Sequence, residues 1–259
     1  MGKVFLVGAG PGDPDLITVK GMKALQQSDV ILYDRLVNKG LLTYAPANVE
    51  LIYCGKRPND HSLPQETINH LLVKFAKERK KVTRLKGGDP FIFGRGSEEA
   101  AYLRRNGISF EIIPGITSGS AAPAYAGIPL THRGLSASVT FISGVSIRAQ
   151  DTEKYWEQLA QGIDTLCIYM GVSNLPFIRE KLMRYGREAS TPIALVQWGT
   201  TNRQATITGT LANIMEKANH IQNPAMIIVG EVVRLREQIA WFEQLSIDQE
   251  AFPVPVTIE

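Results

Sequence analysis

Arg84-Leu85-Lys86-Gly87-Gly88-Asp89-Pro90-Phe91-Ile92-Phe93-Gly94-Arg95-Gly96 carries a basic strand end into two glycines, a carboxylate and a proline. A helix or strand interior has no use for paired glycines followed by Asp-Pro. A loop that must bring its backbone within hydrogen-bond distance of a small molecule does. A second glycine-rich turn, Gly8-Ala9-Gly10-Pro11-Gly12-Asp13-Pro14, ends the first apolar run of the chain. Two such loops at strand ends imply one ligand-binding cleft.

Working outward, strand-like runs recur at residues 4–7, 30–33, 51–54, 82–85 and 110–113, with helical patterns in four of the intervals. The clearest helix is expected over 66–79, where Ile68, Leu71, Leu72 and Phe75 repeat on one face and lysines cover the other. Pro114-Gly115 then punctuates the chain, and the small residues of 117–127 read as a tightly packed connector. A second alternating set follows, with strands at 139–143, 166–170, 193–198, 205–208 and 226–229. Residues 204–210 suit antiparallel pairing with their predecessor, and Leu211, Ile214, Met215 and Ala218 give another amphipathic helix. The expectation is two α/β domains with mixed sheets, residues 1–115 and 116–245, followed by an extension over 246–259 without periodic signal.

Length and composition bound the class without naming a function. At 259 residues, with 44% hydrophobic and 20% charged side chains, the chain has the make-up of an ordinary globular enzyme. A net charge of +3 is too small to indicate a nucleic-acid partner. Cys54 and Cys167 both fall in strand-like runs and read as buried free thiols. The four histidines show no metal-ligand spacing, so no metal is expected. The uncharged run 112–131 is broken by glycine, proline, serine and threonine, which argues against a membrane span. A strand starting near Lys3 leaves no room for a leader, so a cytoplasmic location is expected.

The glycine loops fail two nucleotide signatures. Gly8 and Gly10 are followed by Asp13 where a dinucleotide fingerprint needs a third glycine, and Pro11 removes a backbone donor that a pyrophosphate would use. Neither glycine run closes on lysine followed by Ser or Thr, which excludes a P-loop. These turns suit a ligand without phosphates.

Nine motifs in order resemble the tetrapyrrole methylase family over residues 3–244. They are Val7-Gly8-Ala9-Gly10-Pro11-Gly12-Asp13, Tyr33-Asp34-Arg35-Leu36-Val37, Gly55-Lys56-Arg57, His61 with Pro64-Gln65, and the stretch from Arg84 to Gly96. Pro114-Gly115-Ile116-Thr117-Ser118, Gly127-Ile128-Pro129-Leu130-Thr131-His132-Arg133, Tyr169-Met170-Gly171 and Pro224-Ala225 complete the set. Ser143-Gly144-Val145 departs from it, because relatives often carry a histidine after that glycine. The resemblance implies two α/β domains with S-adenosylmethionine in the cleft between them, a homodimer, and S-adenosylhomocysteine as one product. It further implies uroporphyrinogen III as substrate, methylated at carbons 2 and 7 to give precorrin-2. Sirohaem and cobalamin biosynthesis both remain open as destinations.

Residue by residue, the resemblance assigns Pro11, Gly87, Gly88, Asp89, Ile92, Phe93, Thr117, Ser118, Met170, Gly199 and Ala225 to the cofactor. On sequence alone Met170 reads as core more readily than as a ligand contact, Gly199 reads also as a turn and Thr117 as a helix cap. Asp34 ends the run Val30-Ile31-Leu32-Tyr33, which puts a carboxylate at the ligand-facing edge of an α/β sheet or makes it a turn residue. The resemblance makes Asp34 a proton acceptor and Lys56 a proton donor or cationic anchor. Uroporphyrinogen carries eight carboxylates, so Arg35, Arg57, Arg84, Lys86 and Arg133 are its candidate partners, with Arg95 and Arg148 also at expected loops. Leu36 and Phe93 offer the macrocycle apolar surface or belong to the core.

Overall fold

Alternation along the first strand decides how the N-terminal half is layered. The computed structural model describes residues 2–55 and 63–243, and the chain parts into two units between Thr117 and Ser118. In the first unit β1 (Lys3–Gly8), β2 (Val30–Tyr33), β3 (Glu50–Tyr53), β4 (Lys81–Lys86) and β5 (Ser109–Ile113) form one sheet, ordered β3-β2-β4-β1-β5. Every pair in it is parallel. Phe5 and Val7 pack with Ile31, Leu85 and with Ala24 and Leu25 of α1 (Val19–Gln26). Val4 and Leu6 face the other way, against Ile68, Leu72 and Phe75 of α2 (Gln65–Lys77) and Leu103 of α3 (Gly96–Arg105). Burial on both faces explains the near-continuous apolar runs of β1 and β2.

Differences from the sequence reading have local causes. The interval between β2 and β3 holds a 3-10 segment, Lys39–Tyr44, in place of an α-helix, started by Asn38 accepting the Gly40 amide at 2.9 Å. Thus three of the four intervals carry α-helices. Helix α2 stops at Lys77, short of 79, because Arg79 takes a left-handed φ of 64°.

The second unit opens with α4 (Ser118–Tyr125), the connector of small residues. Its sheet comprises β6 (Val139–Ser143), β7 (Thr165–Tyr169), β8 (Pro192–Gln197), β9 (Ala205–Thr210) and β10 (Ala225–Val229), in the order β6-β7-β10-β8-β9. Strands β6 and β7 are parallel and the other pairs antiparallel, so the mixed sheet belongs to this half. Helices α5 (Glu153–Gln161) and α6 (Leu175–Arg184) cover one face, where Trp156, Leu182, Ile168 and Ile227 share a core. The helix expected around Leu211 shortens to α7 (Ile214–Lys217). Asn213 accepts the Thr210 amide at 2.9 Å, which holds a turn, and Leu211 enters the core from that turn. The extension over 246–259 lies outside the described residues. Among the described residues no helix is long and apolar enough to cross a membrane.

Glycines knit the strand ends of the first unit together. Gly10 and Gly88 exchange amide-to-carbonyl hydrogen bonds of 3.2 and 2.7 Å, so the two glycine loops pair directly. A Cβ added to Gly115 would sit 2.4 Å from the Gly88 oxygen and 2.6 Å from the Gly8 Cα. Both obstacles are backbone and cannot rotate away. Gly115→Ala is therefore expected to destabilise the protein by about 1–3 kcal/mol, read as a fall in Tm of at least about 2 °C; an unchanged Tm would contradict this packing.

Burial also fixes the thiols. It pushes Cys54 up from 9.0 to about 11 and Cys167 up from 9.0 to about 12. Since the folded values lie above those of exposed thiols, their contribution to stability is complete below pH 9 and is lost as pH rises toward 11 to 12. A thiol-specific disulfide reagent at pH 8 should label neither cysteine in the native protein and both after denaturation. Rapid native labelling would refute the burial.

Candidate active site

A wholly parallel sheet places all its C-terminal strand ends on one edge, where α/β proteins bind ligands. On that edge of the first unit lie Pro11 after β1, Asp34, Arg35 and Leu36 after β2, and Gly87, Gly88 and Asp89 after β4. Asn38 donates to the Gly12 carbonyl at 2.7 Å, tying the first loop to the second. A Cβ on Gly87 would press on the Leu36 Cβ at 3.2 Å, so only glycine lets these loops lie together without displacement. Leu36 is 43% exposed and is not core.

Asp89 shapes its own loop. One carboxylate oxygen accepts the Phe91 amide at 2.7 Å and the other the Gly115 amide at 3.0 Å. Gly88 likewise uses its amide and carbonyl on Gly10, so these residues offer a ligand chiefly surface and spare lone pairs. Beyond them Ile92 is half-buried, whereas Phe93 is exposed, outside the core, and left-handed at φ 49°. Arg95 is also left-handed, at φ 59°, and pairs in the open with Glu98 at 2.7 Å. Non-glycine residues adopt this conformation at a cost and concentrate at functional sites.

Beneath the edge is a buried ion cluster that residue types alone did not reveal. Register pairs Leu6 with Arg84 and Gly8 with Lys86, so both cations point to the side of the sheet that α3 covers. There the Glu99 Oε1 accepts from Arg84 Nε and Lys86 Nζ, each at 3.0 Å, and from Gln65 Nε2 at 3.1 Å. Arg84 Nη2 reaches forward to Asp34 Oδ1 at 2.5 Å. Arg84, Lys86 and Glu99 are essentially inaccessible, while the Asp34 side chain is one-third exposed. Burial opposes the charge on Arg84, but Asp34 and Glu99 together hold its pKa above the usual range. Burial and then the Arg84 charge push Lys86 down, with Glu99 opposing them. The cations expected at an open strand end are thus structural neighbours of Asp34. Glu99 had a signal: Gly96, Glu99, Ala100 and Leu103 form the buried stripe of α3, and a carboxylate in such a stripe needs a partner.

In the second unit the antiparallel order also gathers residues on one edge. The C-terminal ends of β7 and β8 and the start of β10 lie side by side, with Ala225 opposite Gln197 and Trp198 N–H donating to the Pro224 carbonyl at 3.1 Å. Met170, Gly199 and Ala225 therefore share this edge. Ser118 begins α4 there, since the next residue, Gly119, donates its amide to the Tyr169 hydroxyl at 2.8 Å. Thr117, the last residue of the first unit, immediately precedes it. Met170 is 42% exposed with φ 53°, so it is not the core residue its apolar run allowed. A Cβ on Gly199 would meet the Ala122 Cβ at 2.5 Å, which makes this glycine a packing requirement as well as a turn. Trp198 and Thr200 are left-handed too, at φ 48° and 69°, a feature with no signature in residue type.

The other cations differ in setting. Arg35 and Arg133 are exposed in loops. Arg148 donates to Asn174 Oδ1 at 3.0 Å and stacks over Phe177. Lys56, Arg57 and His61 lie outside the described residues. Among the described residues no cluster of His, Cys, Asp and Glu is placed to hold a metal.

Each unit by itself therefore has a strand edge lined by glycine backbone, with exposed Phe93 in the first and exposed Met170 in the second held in left-handed turns. The family model described as Tetrapyrrole (Corrin/Porphyrin) Methylases matches residues 3–215. A uroporphyrinogen-III C-methyltransferase from Priestia megaterium is 64% identical, over 90% of this chain and 99% of its own. A siroheme synthase from Pseudomonas fluorescens is 51% identical over 93% of this chain, which spans about half (52%) of that longer protein. Among solved structures, the uroporphyrin-III C-methyl transferase from Thermus thermophilus complexed with S-adenyl homocysteine aligns with TM-score 0.77 and 39% identity. That alignment covers 90% of this chain and all (100%) of the other. The glycine loops, the two five-stranded sheets and these matches lead to one conclusion: the chain belongs to the tetrapyrrole (corrin/porphyrin) methylases.

Proposed function

We propose that this chain transfers methyl groups from S-adenosylmethionine to uroporphyrinogen III, at carbons 2 and 7 in succession, giving precorrin-2 by way of precorrin-1. The observation that carries the reading is Asp34: a partly exposed carboxylate at the C-terminal end of β2, its Oδ1 held by buried Arg84, beside the glycine loops. The name of the 64%-identical relative supports the acceptor, and the S-adenyl homocysteine complex of the Thermus thermophilus protein supports the cofactor.

S-adenosylmethionine supplies an electrophilic methyl on a sulfonium, toward which an electron-rich pyrrole carbon is a sufficient nucleophile once both are held in near-attack geometry. Pro11, Gly87, Gly88, Asp89, Ile92, Phe93, Thr117, Ser118, Met170, Gly199 and Ala225 are the residues proposed to hold it. Methylation leaves the ring system cationic, and a proton must leave a neighbouring carbon. Asp34 is proposed to take it. Lys56 keeps the role of donor or anchor. Exposed Arg35 and Arg133, together with Arg57, are proposed to bind substrate carboxylates bidentately, and Leu36 to support the ring. Arg84 and Lys86 are too deeply buried to serve that purpose. The reading includes a homodimer in the cytoplasm.

Incubation with uroporphyrinogen III and methyl-labelled cofactor should incorporate two methyl groups per macrocycle. No incorporation, alongside efficient methylation of an unrelated acceptor, overturns the proposal. Asp34→Asn should lower kcat by about 100- to 10,000-fold while calorimetric affinity for S-adenosylhomocysteine stays within about twofold, since Asp34 is not among the residues assigned to the cofactor.

A further inference from the structure

We infer that Glu99 and Arg84 are positioning residues that fix the Asp34 carboxylate in the geometry in which it takes a proton. The inference rests on the reading of Asp34 as proton acceptor.

Arg84 cannot rotate freely. Nη1 lies 3.4 Å from the carbonyls of both Leu32 and Leu85, Nε is held by Glu99, and only Nη2 projects to the accessible edge, where it meets Asp34. The planar guanidinium thus transmits one orientation from the interior to a single oxygen at the surface. The Asp34 backbone is tied as well, its amide donating to the Leu85 carbonyl at 3.3 Å. Glu99 sets the other end. Its Oε1 receives Arg84, Lys86 and Gln65 together, whereas Oε2 has no hydrogen-bond partner, so all its directional holding falls on the oxygen that grips Arg84.

Two carboxylates and two cations make the cluster neutral as a whole. Removing the Glu99 charge leaves Arg84 and Lys86 with only Asp34 to balance them, and turns a charge-assisted hold on Nε into a weaker neutral one. A buried cluster of this kind is a poor device for stability, since apolar residues of similar volume serve as well or better. Orienting one reactive group is a use that apolar packing cannot supply.

The test measures kcat, KM for uroporphyrinogen III, affinity for S-adenosylhomocysteine and Tm. Glu99→Gln should lower kcat by about 10- to 100-fold, with KM and cofactor affinity unchanged within about twofold. Added to Asp34→Asn, it should cost no more than about twofold further, because both act through one carboxylate. Arg84→Lys keeps the charge and loses the fork, and should match Glu99→Gln. Should Glu99→Gln fail to fold, Glu99→Gln with Lys86→Met preserves neutrality and carries the same expectation, and Arg84→Lys stands as an independent test. A full additional loss on top of an impaired Asp34→Asn, or a lowered Tm with unchanged kcat, overturns the positioning role alone. Wild-type kcat in Asp34→Asn overturns the reading of Asp34, and the inference falls with it.

Discussion

A guanidinium set within a central parallel strand is the constraint around which the first unit is arranged. Arg84 on β4 has neighbours on both sides and a helix across its face, so water cannot solvate it. Its charge must be met by protein groups. Glu99 meets it from α3 and Asp34 from the end of β2, while Gln65 joins from the first turn of α2. Two segments are thereby referenced to Arg84 directly, and α2 is tied to it through Glu99, to which Gln65 donates. Removing one partner from such an arrangement typically costs about 3–5 kcal/mol, more than most surface features contribute. The fixed position of Asp34 at the strand edge thus follows from the interior.

Above that cluster the loops are held by a different means. Gly8, Gly10, Gly88 and Gly115 bring backbone against backbone, and the hydrogen bonds run between loops that follow different strands. In the second unit the same device recurs, with Gly144 against Gly171 and Gly199 against Ala122. Close backbone approach leaves no side chain to adjust, so each loop has essentially one conformation. The exposed side chains that remain, Leu36, Phe93 and Met170, are displayed from a rigid frame.

Much of this was legible in the amino-acid order. Strands buried on both faces announce themselves as short apolar runs, as β2 does; β2 and β6 match their expected limits and the others differ by one or two residues. Paired glycines marked both loops of the first unit for the same reason that they pack. Register was not legible: nothing in Arg84 or Lys86 as residue types says that alternation turns them toward α3, and they read as cations at an open strand end. Nor does residue type announce φ, so Trp198 and Thr200 were missed and Met170 looked like core. Glu99 was recoverable, since a carboxylate in an otherwise apolar helical stripe demands a counter-ion. Short helices such as α7 fail for the opposite reason, because a side-chain hydrogen bond in the preceding turn outweighs periodicity.

The left-handed turns have an evolutionary corollary. Phe93, Arg95, Met170, Trp198 and Thr200 each hold a conformation that glycine would adopt more cheaply, by about 1–2 kcal/mol per position. Selection for heat tolerance alone would drift toward glycine at these sites, and selection for turnover would resist it. Natural variation there should consequently record which pressure has governed a given lineage.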